Sequence, residues 1–569
     1  MTLQRWTASA APAAWLVLAL GLSGVAAAGD APPPLPTSAP PPLPADTAAA
    51  DVLLHQRLDV LLVQLQDPLN ETRASPGAQL LGFPPRAATW FSAILDARTD
   101  LTWQAQYALH RAILCLQSPA PVPVLPGGPP MHQPARDFYT MVMAGYTQGS
   151  DHNPTWDPLV AQAVQWISLS WQLDPGHPGD AEERARDLLQ QAYALGCRDP
   201  YIEYLLATVL QDIRGDDTPT AQPLLRDAGL RILHSHYDDD CVLHVLWHHL
   251  KYVLAQQQND PSGTEDQLIK IDMDALPALI GRGLSEPVVR ANSVPYLLQS
   301  YASILKSQNP GHEQEAIDAC VAAIQAEHPA HPIGLLVKAY YMQDWAWDAR
   351  GSGWASSVTP QGAQLMQDRM AVAETCVHQA LREDPENTCP LMVAIDLANG
   401  ANTPKDQVWA WFNRAQALEP GQTTVLDGLA NYLDPRWNGS ADELISLGRA
   451  ALATGDWTYG TPDTLIEIHH TLSHFSKGSW QEEEDADYFR AASVWTDYQA
   501  VFVGQLAAYP EDQANRSLYC YDAYRVGHIA LARAQFHLLT QPNIAMFGGE
   551  DSYAFVKESL FPTGAGLSP

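Results

Sequence analysis

The chain repeats one apolar pattern at least six times: a small or medium side chain, a larger apolar one four residues later, and Ala or Leu three residues further on. The copies are Ala185/Leu189/Ala192, Ala221/Leu225/Ala228, Ala316/Cys320/Ala323, Ala373/Val377/Ala380, Val408/Phe412/Ala415 and Ala532/Phe536/Leu539. Spacings of four and three residues place all three side chains on one face of an α-helix. Because small and large side chains alternate along that face, a second helix can pack closely against it.

Two of these copies also show a regular period. They begin 35 residues apart, at Ala373 and Val408, and each is followed by an acidic residue and a proline, at Pro385 and Pro420. Stacked helix-turn-helix arrays have periods of about 34 residues. Alternating apolar and polar residues of the kind that forms strands are scarce. The sequence therefore predicts an all-α fold, an α-solenoid of stacked antiparallel helix pairs.

The striped helix followed by a proline turn resembles helix B of the tetratricopeptide repeat. The Trp and Gly-Tyr signature of the first tetratricopeptide helix is mostly absent, so the repeats would be degenerate. Three segments, at residues 347–354, 432–440 and 509–520, also resemble an uncharacterised bacterial family of helical proteins with no assigned activity. This second likeness covers about residues 265–545. Both resemblances imply a helical interaction surface, and neither implies catalytic residues.

The N-terminus has the layout of a secretory signal. Arg5 precedes a short apolar run, and Ala26 and Ala28 stand at the small positions before a cleavage site. We expect a signal peptide at residues 1–28, a Pro-rich linker at 29–50, an N-terminal helical array at 51–258 and a C-terminal tetratricopeptide-like array at 259–569. The mature chain is then periplasmic or secreted and has no integral membrane segment, although an uncleaved anchor is the alternative.

Composition limits the classes of partner. The chain of 569 residues has 64 acidic and 32 basic residues. Such a charge repels nucleic acid and anionic membrane surfaces. The seven cysteines are spread over a long chain, unlike a small disulfide scaffold. Cys320 and Cys376 are most simply buried apolar residues, although a bridge between Cys376 and Cys389 is an alternative.

Two histidine clusters have spacings that suit a metal site. Cys241, His244 and His248 share one predicted helical face, and a zinc ion could bind there with a fourth ligand from the preceding turn. The alternative is that they are interior or inter-helix residues. Glu467, His470 and His474 repeat the spacing, but not in the His-Glu-x-x-His order of a zinc protease. We expect no cofactor, and a metal-dependent hydrolase is one alternative function.

The strongest binding candidates are Arg and Trp residues in two insertions of the C-terminal half: Arg350, Trp354, Arg436 and Trp437, with Trp345 and Trp347 nearby. Arg and Trp are the side chains that most often anchor interfaces. The structural alternative is that the Trp residues fill gaps in the repeat spacing and that Arg pairs with a neighbouring carboxylate. Phosphate-binding loops and nucleophile-elbow motifs do not occur in the sequence. It therefore predicts a non-enzymatic solenoid that binds a protein or peptide in the cell envelope, with carbohydrate binding as a further alternative.

Overall fold

The computed structural model describes residues 47–66, 79–80, 83–98, 100–117, 122–125, 130–131, 133–149, 152–171, 181–214, 218–257, 264–283, 293–327, 329, 332–351, 357–419, 422–457, 460–477, 485, 487–510, 512–540 and 542–561. In these residues the fold is all-α, with neighbouring helices packed in pairs as in an α-solenoid. The helices are α1 (Thr47–Gln66), α2 (Ala87–Ala97), α3 (Trp103–Gln117), α4 (Gln133–Gln148), α5 (Asp157–Trp171), α6 (Ala181–Leu195), α7 (Pro200–Arg214), α8 (Thr218–Ile232), α9 (Asp239–Gln257), α10 (Thr264–Gly283), α11 (Ser293–Gln308), α12 (Glu313–Glu327), α13 (Ile333–Arg350), α14 (Pro360–Glu383), α15 (Cys389–Ala401), α16 (Lys405–Leu418), α17 (Thr423–Tyr432), α18 (Ala441–Thr454), α19 (Thr464–Ser473), α20 (Ala492–Ala508), α21 (Gln513–Arg525), α22 (Ile529–His537) and α23 (Glu550–Leu560).

Short elements accompany these helices. Strands β1 (Val122–Pro123) and β2 (Pro130–Met131) form an antiparallel pair in the Pro-rich segment before α4. Three single turns of 3₁₀ helix span Thr461–Asp463, Tyr488–Arg490 and Ala545–Phe547. Among the described residues, none of the helices combines the length and the apolar character needed to cross a membrane.

Four of the six predicted stripes are buried throughout. They lie in α6, α8, α14 and α16, and every one of their side chains is at most 4% exposed. Each stripe is the contact face of its helix, because the side chains on the opposite face are largely exposed. The stripe in α22 is buried only at Ala532, and its two larger side chains are half-buried against the C-terminal core.

The stripe predicted in α12 is wrong at two positions. Cys320 is buried, but Ala316 is only half-buried and Ala323 is exposed. The buried face of α12 instead carries larger side chains, those of Ile317, Cys320, Val321 and Ile324. Burying Ile and Val removes more apolar surface from water than burying two alanines. The helix is therefore rotated relative to the predicted face.

The described chain forms two compact units. The larger unit comprises the described residues of 118–444, and one continuous apolar core runs through it from Phe138 to Leu397. The smaller unit comprises those of 47–117 and 445–561. It has one apolar core within residues 54–112 and another within residues 489–560.

The predicted domain boundaries lie after residues 28, 50 and 258. The boundary at 258 lies outside the described residues, and α9 and α10 on its two sides contribute to the same core. The predicted signal peptide also lies outside them. The last four residues of the predicted linker at 29–50 belong to α1, which begins at Thr47. Three alanines follow Thr47, and Ala is the residue with the strongest intrinsic preference for helix.

The larger unit contains two kinds of helix. Helices α9, α13 and α15 are buried on most sides, and we call them the enclosed helices. Helices α10, α12, α14 and α16 bury one face only, and we call them the half-exposed helices. Enclosed helices have apolar or small residues around most of their circumference, whereas half-exposed helices carry the charged residues on one side. Each enclosed helix thus depends on neighbours on several sides.

A buried polar pair links an enclosed helix to a half-exposed one. His249 of α9 and Asp272 of α10 are joined through Nδ1 and Oδ2 at 2.8 Å, and both side chains are 2% exposed. The other ring nitrogen of His249 is buried without a hydrogen-bond partner in the described part of the chain. The ring also packs on Gly229 of α8, where an added Cβ would lie 2.1 Å from Cγ of the imidazole. Position 229 therefore requires glycine, because a larger side chain would prevent α8 and α9 from approaching this closely.

Candidate functional site

The first part of the candidate site is the C-terminal end of α13. Gly351 ends the helix with a φ of 81°, and its N–H donates to the carbonyl oxygen of Trp347 at 2.9 Å. Glycine adopts this left-handed conformation without steric strain. The guanidinium of Arg350 lies 5.4 Å from the centroid of the Trp347 ring. It also donates to the carbonyl oxygen of Gly351 at 3.1 Å.

The second part is the turn at residues 433–440, after α17. Asp434 is 1% exposed, and its carboxylate accepts the backbone N–H of Arg436 at 2.7 Å and the Nη2 of that side chain at 2.7 Å. Gly439 is needed here, because an added Cβ would lie 1.9 Å from the carbonyl oxygen of Leu433. Arg436 thus fixes the turn through a buried carboxylate, as the structural alternative predicts, and Trp437 is left 39% exposed at its tip.

The two parts meet at their tryptophans. The rings of Trp347 and Trp437 are edge-to-face, with centroids 5.6 Å apart. Arg350, Trp347 and Trp437 therefore form one contiguous group, which we call the Trp347–Trp437 surface. Trp354, which we also predicted at this site, lies outside the described residues. Two segments separated by more than 80 residues in sequence are thus brought together within the larger unit.

Other side chains of α13 and of the turn at residues 433–440 make separate contacts. The ring of Trp345 lies 3.7 Å from the guanidinium of Arg369, which also donates to the carbonyl oxygen of Trp345 at 2.5 Å. Asn438 donates from Nδ2 to Oδ1 of Asn399 on α15 at 2.9 Å. Trp345 therefore has a packing role, whereas Trp437 presents apolar area to solvent. A rigid, partly exposed indole beside a guanidinium can supply apolar contact area and directional hydrogen bonds to a ligand.

The first predicted metal cluster has other contacts. Nδ1 of His248 donates to the carbonyl oxygen of His244 at 2.9 Å and lies 3.3 Å from the hydroxyl of Tyr204. Cys241 is fully buried, and Tyr201 packs against it. Desolvation lowers the pKa of His248 to about 4. Among the described residues, no group of three His, Cys, Asp or Glu side chains could hold a metal ion. In the described chain, Cys241, His244 and His248 therefore do not form the three-ligand group that the zinc hypothesis requires.

The same result holds for the cluster on α19. Nε2 of His470 lies 3.0 Å from the hydroxyl of Tyr498, and its ring packs on Phe489 with centroids 5.3 Å apart. Glu467 and His474, which share the predicted face, do not form a metal-binding group with it within the described chain. The His470 ring lies close to the aromatic rings of Phe489 and Tyr498. The described geometry of this cluster therefore gives no support to the hydrolase alternative.

Sequence reasoning missed a buried network next to that cluster. Nε2 of His469 donates to Asp497 at 3.1 Å, and the hydroxyl of Tyr488 lies 2.9 Å from its Nδ1. Arg449 binds the same carboxylate through Nη2 at 3.1 Å. Burial acts to raise the pKa of Asp497, but hydrogen bonds from His469 and Arg449 outweigh it and hold that pKa below its usual range.

This network resembles a catalytic triad only in its connectivity. Burial, with the Asp497 charge, raises the pKa of Tyr488 to about 12, which is opposite to the activation that a nucleophile needs. His469 is 1% exposed and out of reach of a substrate. The network instead joins α18, α19 and α20. The residues of this network are spread from Arg449 to Asp497 and form no local sequence motif, so the sequence alone could not reveal it.

Burial disfavours the reactive thiolate form of several cysteines in the described chain. Cys376 and Cys389 are both buried with free thiols, so the bridge considered between them is absent. Burial raises the pKa of Cys320 and of Cys520 to about 12. Thiolate, the reactive form, is therefore scarce at these positions.

The fold thus places this chain among all-α proteins built from stacked helices, with an exposed aromatic surface on the larger unit. No protein-family model matches the chain, and no curated protein matches it either.

Proposed function

We propose that the protein is an exported, non-enzymatic solenoid that binds another protein or a peptide through the Trp347–Trp437 surface. The observation that carries this proposal is the exposure of Trp437, which is 39% exposed while its edge-to-face contact with Trp347 fixes its orientation. A fixed aromatic side chain loses little conformational entropy when a partner covers it. Arg350 adds hydrogen-bond donors beside the Trp347 ring.

The enclosed helices favour this surface over a groove lined by helices. Nine of the thirteen residues of α15 are buried, and nine of the eighteen residues of α13. Such helices have few side chains left for a partner. The end of α13 and the turn at 433–440 project residues that the core does not use. We therefore place the partner at this loop surface, in keeping with the interaction role implied by the tetratricopeptide-like stripes.

Export is part of the proposal because of the N-terminal signal pattern. The buried thiols are compatible with it, since shielded cysteines with raised pKa values resist oxidation. N-terminal sequencing of protein from the fractionated native host should find a chain that begins near Gly29 outside the cytoplasm. Finding the protein in the cytosol with Met1 intact would contradict export but would not bear on the binding proposal.

The binding test uses the mature chain as bait in envelope extract, followed by affinity measurement with each purified partner. Trp437→Ala should weaken binding by about 2 kcal/mol, the size of an interface hot spot, and Arg350→Ala by less. The matched control is Phe555→Ala, which removes a 64% exposed ring from the smaller unit. Far-ultraviolet circular dichroism checks that each variant is folded.

Equal affinity of Trp437→Ala and wild type would assign these rings to structure alone. Retention of glycans rather than proteins, lost with Trp437→Ala, would instead favour the carbohydrate-binding alternative. Arg436→Ala is less informative for binding, because its guanidinium neutralises the buried Asp434 and its loss should reduce stability.

A further inference from the structure

One sequence motif has no part in the proposed function. The segment APPPLP occurs twice, at residues 31–36 and 39–44, and both copies lie outside the described residues. Proline fixes φ and has no backbone N–H, so this composition predicts a polyproline II helix, which is left-handed and has about three residues per turn. The second copy ends two residues before α1 begins. Such a helix is a semi-rigid spacer, so it should extend away from its own chain rather than fold back onto it.

The Trp347–Trp437 surface has two hydrogen-bond donors without acceptors. Neither indole N–H donates a hydrogen bond within the described chain, and neither tryptophan has a further polar contact. The Trp347 nitrogen is not one of the buried unpaired atoms, so solvent reaches it. The Trp437 side chain is 39% exposed. Because an indole N–H donates and does not accept, this surface is best matched by a ligand that combines hydrogen-bond acceptors with apolar area.

A proline-rich backbone has this character. Each proline contributes a carbonyl acceptor and no donor, so consecutive prolines bring no N–H that the surface would have to pair. An ordinary extended peptide brings one N–H for each residue. Proline-rich segments dock on aromatic surfaces in several kinds of complex, and their preformed helix loses little conformational entropy on binding. Residues 31–44 carry no charge, so the excess of acidic residues in this protein does not repel them.

We propose that the Trp347–Trp437 surface binds the Pro-rich segment, residues 31–44, of a second copy of this chain. Proline rings cover the exposed face of Trp437, and carbonyl oxygens of the segment accept the two indole N–H groups. This inference rests on the proposed function, because it names the occupant of the same surface. Each chain supplies two copies of the motif for one surface, so a copy that dissociates is readily replaced by the other at high effective concentration.

The test combines a peptide with the mature chain. The peptide has the sequence of residues 31–44 and a fluorescent label, and fluorescence anisotropy measures its affinity. A control peptide has serine in place of the six prolines at positions 32–34 and 40–42, which restores N–H groups and removes the preformed helix. The same substitutions in the mature chain give a proline-to-serine chain, in which every described residue is unchanged. Sedimentation velocity measures the self-association of the wild type and of this chain.

We expect the peptide to bind the proline-to-serine chain at least about tenfold more tightly than the control peptide does. In that chain, Trp437→Ala should weaken peptide binding at least about tenfold, and Trp437→Phe, which keeps an apolar ring without the N–H, about threefold. Phe555→Ala in the smaller unit should have no effect. At concentrations above the peptide Kd, the wild type should self-associate, the proline-to-serine chain should stay monomeric, and added peptide should dissociate the wild type.

Peptide binding that is unchanged by both Trp437 substitutions would overturn the inference, and so would a wild type that stays monomeric above the peptide Kd. Equal self-association of the wild type and the proline-to-serine chain would overturn it as well. The proposed function is decided separately. A protein from envelope extract that binds the wild type but not Trp437→Ala would uphold that function even if the peptide does not bind. Circular dichroism checks that each variant is folded.

Discussion

Helices α15 and α16 follow one another in the chain, yet their burial differs greatly. Nine of the thirteen residues of α15 are buried, against four of the fourteen residues of α16. A helix that is apolar on all sides is stable only when neighbours cover all of it. A helix with one apolar stripe needs a neighbour on that side alone. Substitutions should therefore be costly all around an enclosed helix, but only along the stripe of a half-exposed one.

The largest effect should come from the buried pair between α9 and α10. Asp272→Ala leaves His249 buried with neither ring nitrogen paired, and should lower the free energy of unfolding by about 4 kcal/mol. The control is Asp274→Ala on the same helix. It breaks an exposed pair with Lys270 and should cost less than about 0.5 kcal/mol. Urea unfolding followed by circular dichroism gives both values, and similar losses would remove this distinction between buried and exposed faces.

The next effect tests the enclosed helix α15 directly. Leu391 is fully buried, and Leu391→Ala should cost about 3 kcal/mol, because it loses apolar contacts and leaves a cavity. Leu365 on the half-exposed α14 is 37% exposed, and the same substitution there should cost less than about 1 kcal/mol. The pair is compared by thermal unfolding. If Leu365→Ala is as harmful as Leu391→Ala, α14 must be covered on its outer face in solution.

The same contrast explains which helices the sequence could predict. The stripes of α14 and α16 are visible because polar residues surround them, so Ala380 and Ala415 could be identified as contact positions. Helix α15 has no such contrast. Its sequence, CPLMVAIDLANGA, is apolar almost throughout, so a period of 3.6 residues has nothing to stand out against. The contact faces of α14 and α16 could therefore be predicted from sequence, whereas that of α15 could not.

The stripe error in α12 has a related cause. The pattern gave Ala316 and Ala323 the same weight as their larger neighbours Ile317 and Ile324. Burial depends on area, and the larger side chains determined the orientation of the helix. The residues of the candidate site and of the neighbouring buried network also differ in whether the sequence could predict them. Arg and Trp composition identified Trp437, but the contact of Arg449 with Asp497 depends on packing between helices and has no local signal.

A third prediction compares a buried stripe position with the exposed stripe position in α12. Ala380 is fully buried in the stripe of α14, and Ala380→Leu should overpack the helix contact and cost about 2 kcal/mol. Ala323 has the same place in the pattern but is exposed, so Ala323→Leu should change stability by less than about 0.5 kcal/mol. Thermal unfolding separates them. Equal destabilisation by both substitutions would show that the sequence pattern, and not the observed rotation of α12, gives the true contact face.

The smallest effect concerns one carboxyl group between two enclosed helices. Asp396 of α15 accepts a hydrogen bond from the hydroxyl of Tyr340 on α13 at 2.9 Å, and burial raises its pKa to about 7. Because this pKa lies above its value in the unfolded chain, the stabilisation is fully present below about pH 4 and is lost as pH rises through about 7. Asparagine can still accept the Tyr340 hydrogen bond but does not ionise. Between pH 5 and pH 8 the free energy of unfolding of the wild type should therefore fall by about 1 kcal/mol more than that of Asp396→Asn, after allowance for partial exposure of the carboxyl group. Thermal midpoints across that range measure the difference, with the exposed Asp368→Asn as control. If the thermal midpoints of all three proteins change with pH in parallel, the Asp396 carboxyl is well solvated and water reaches the contact between α13 and α15.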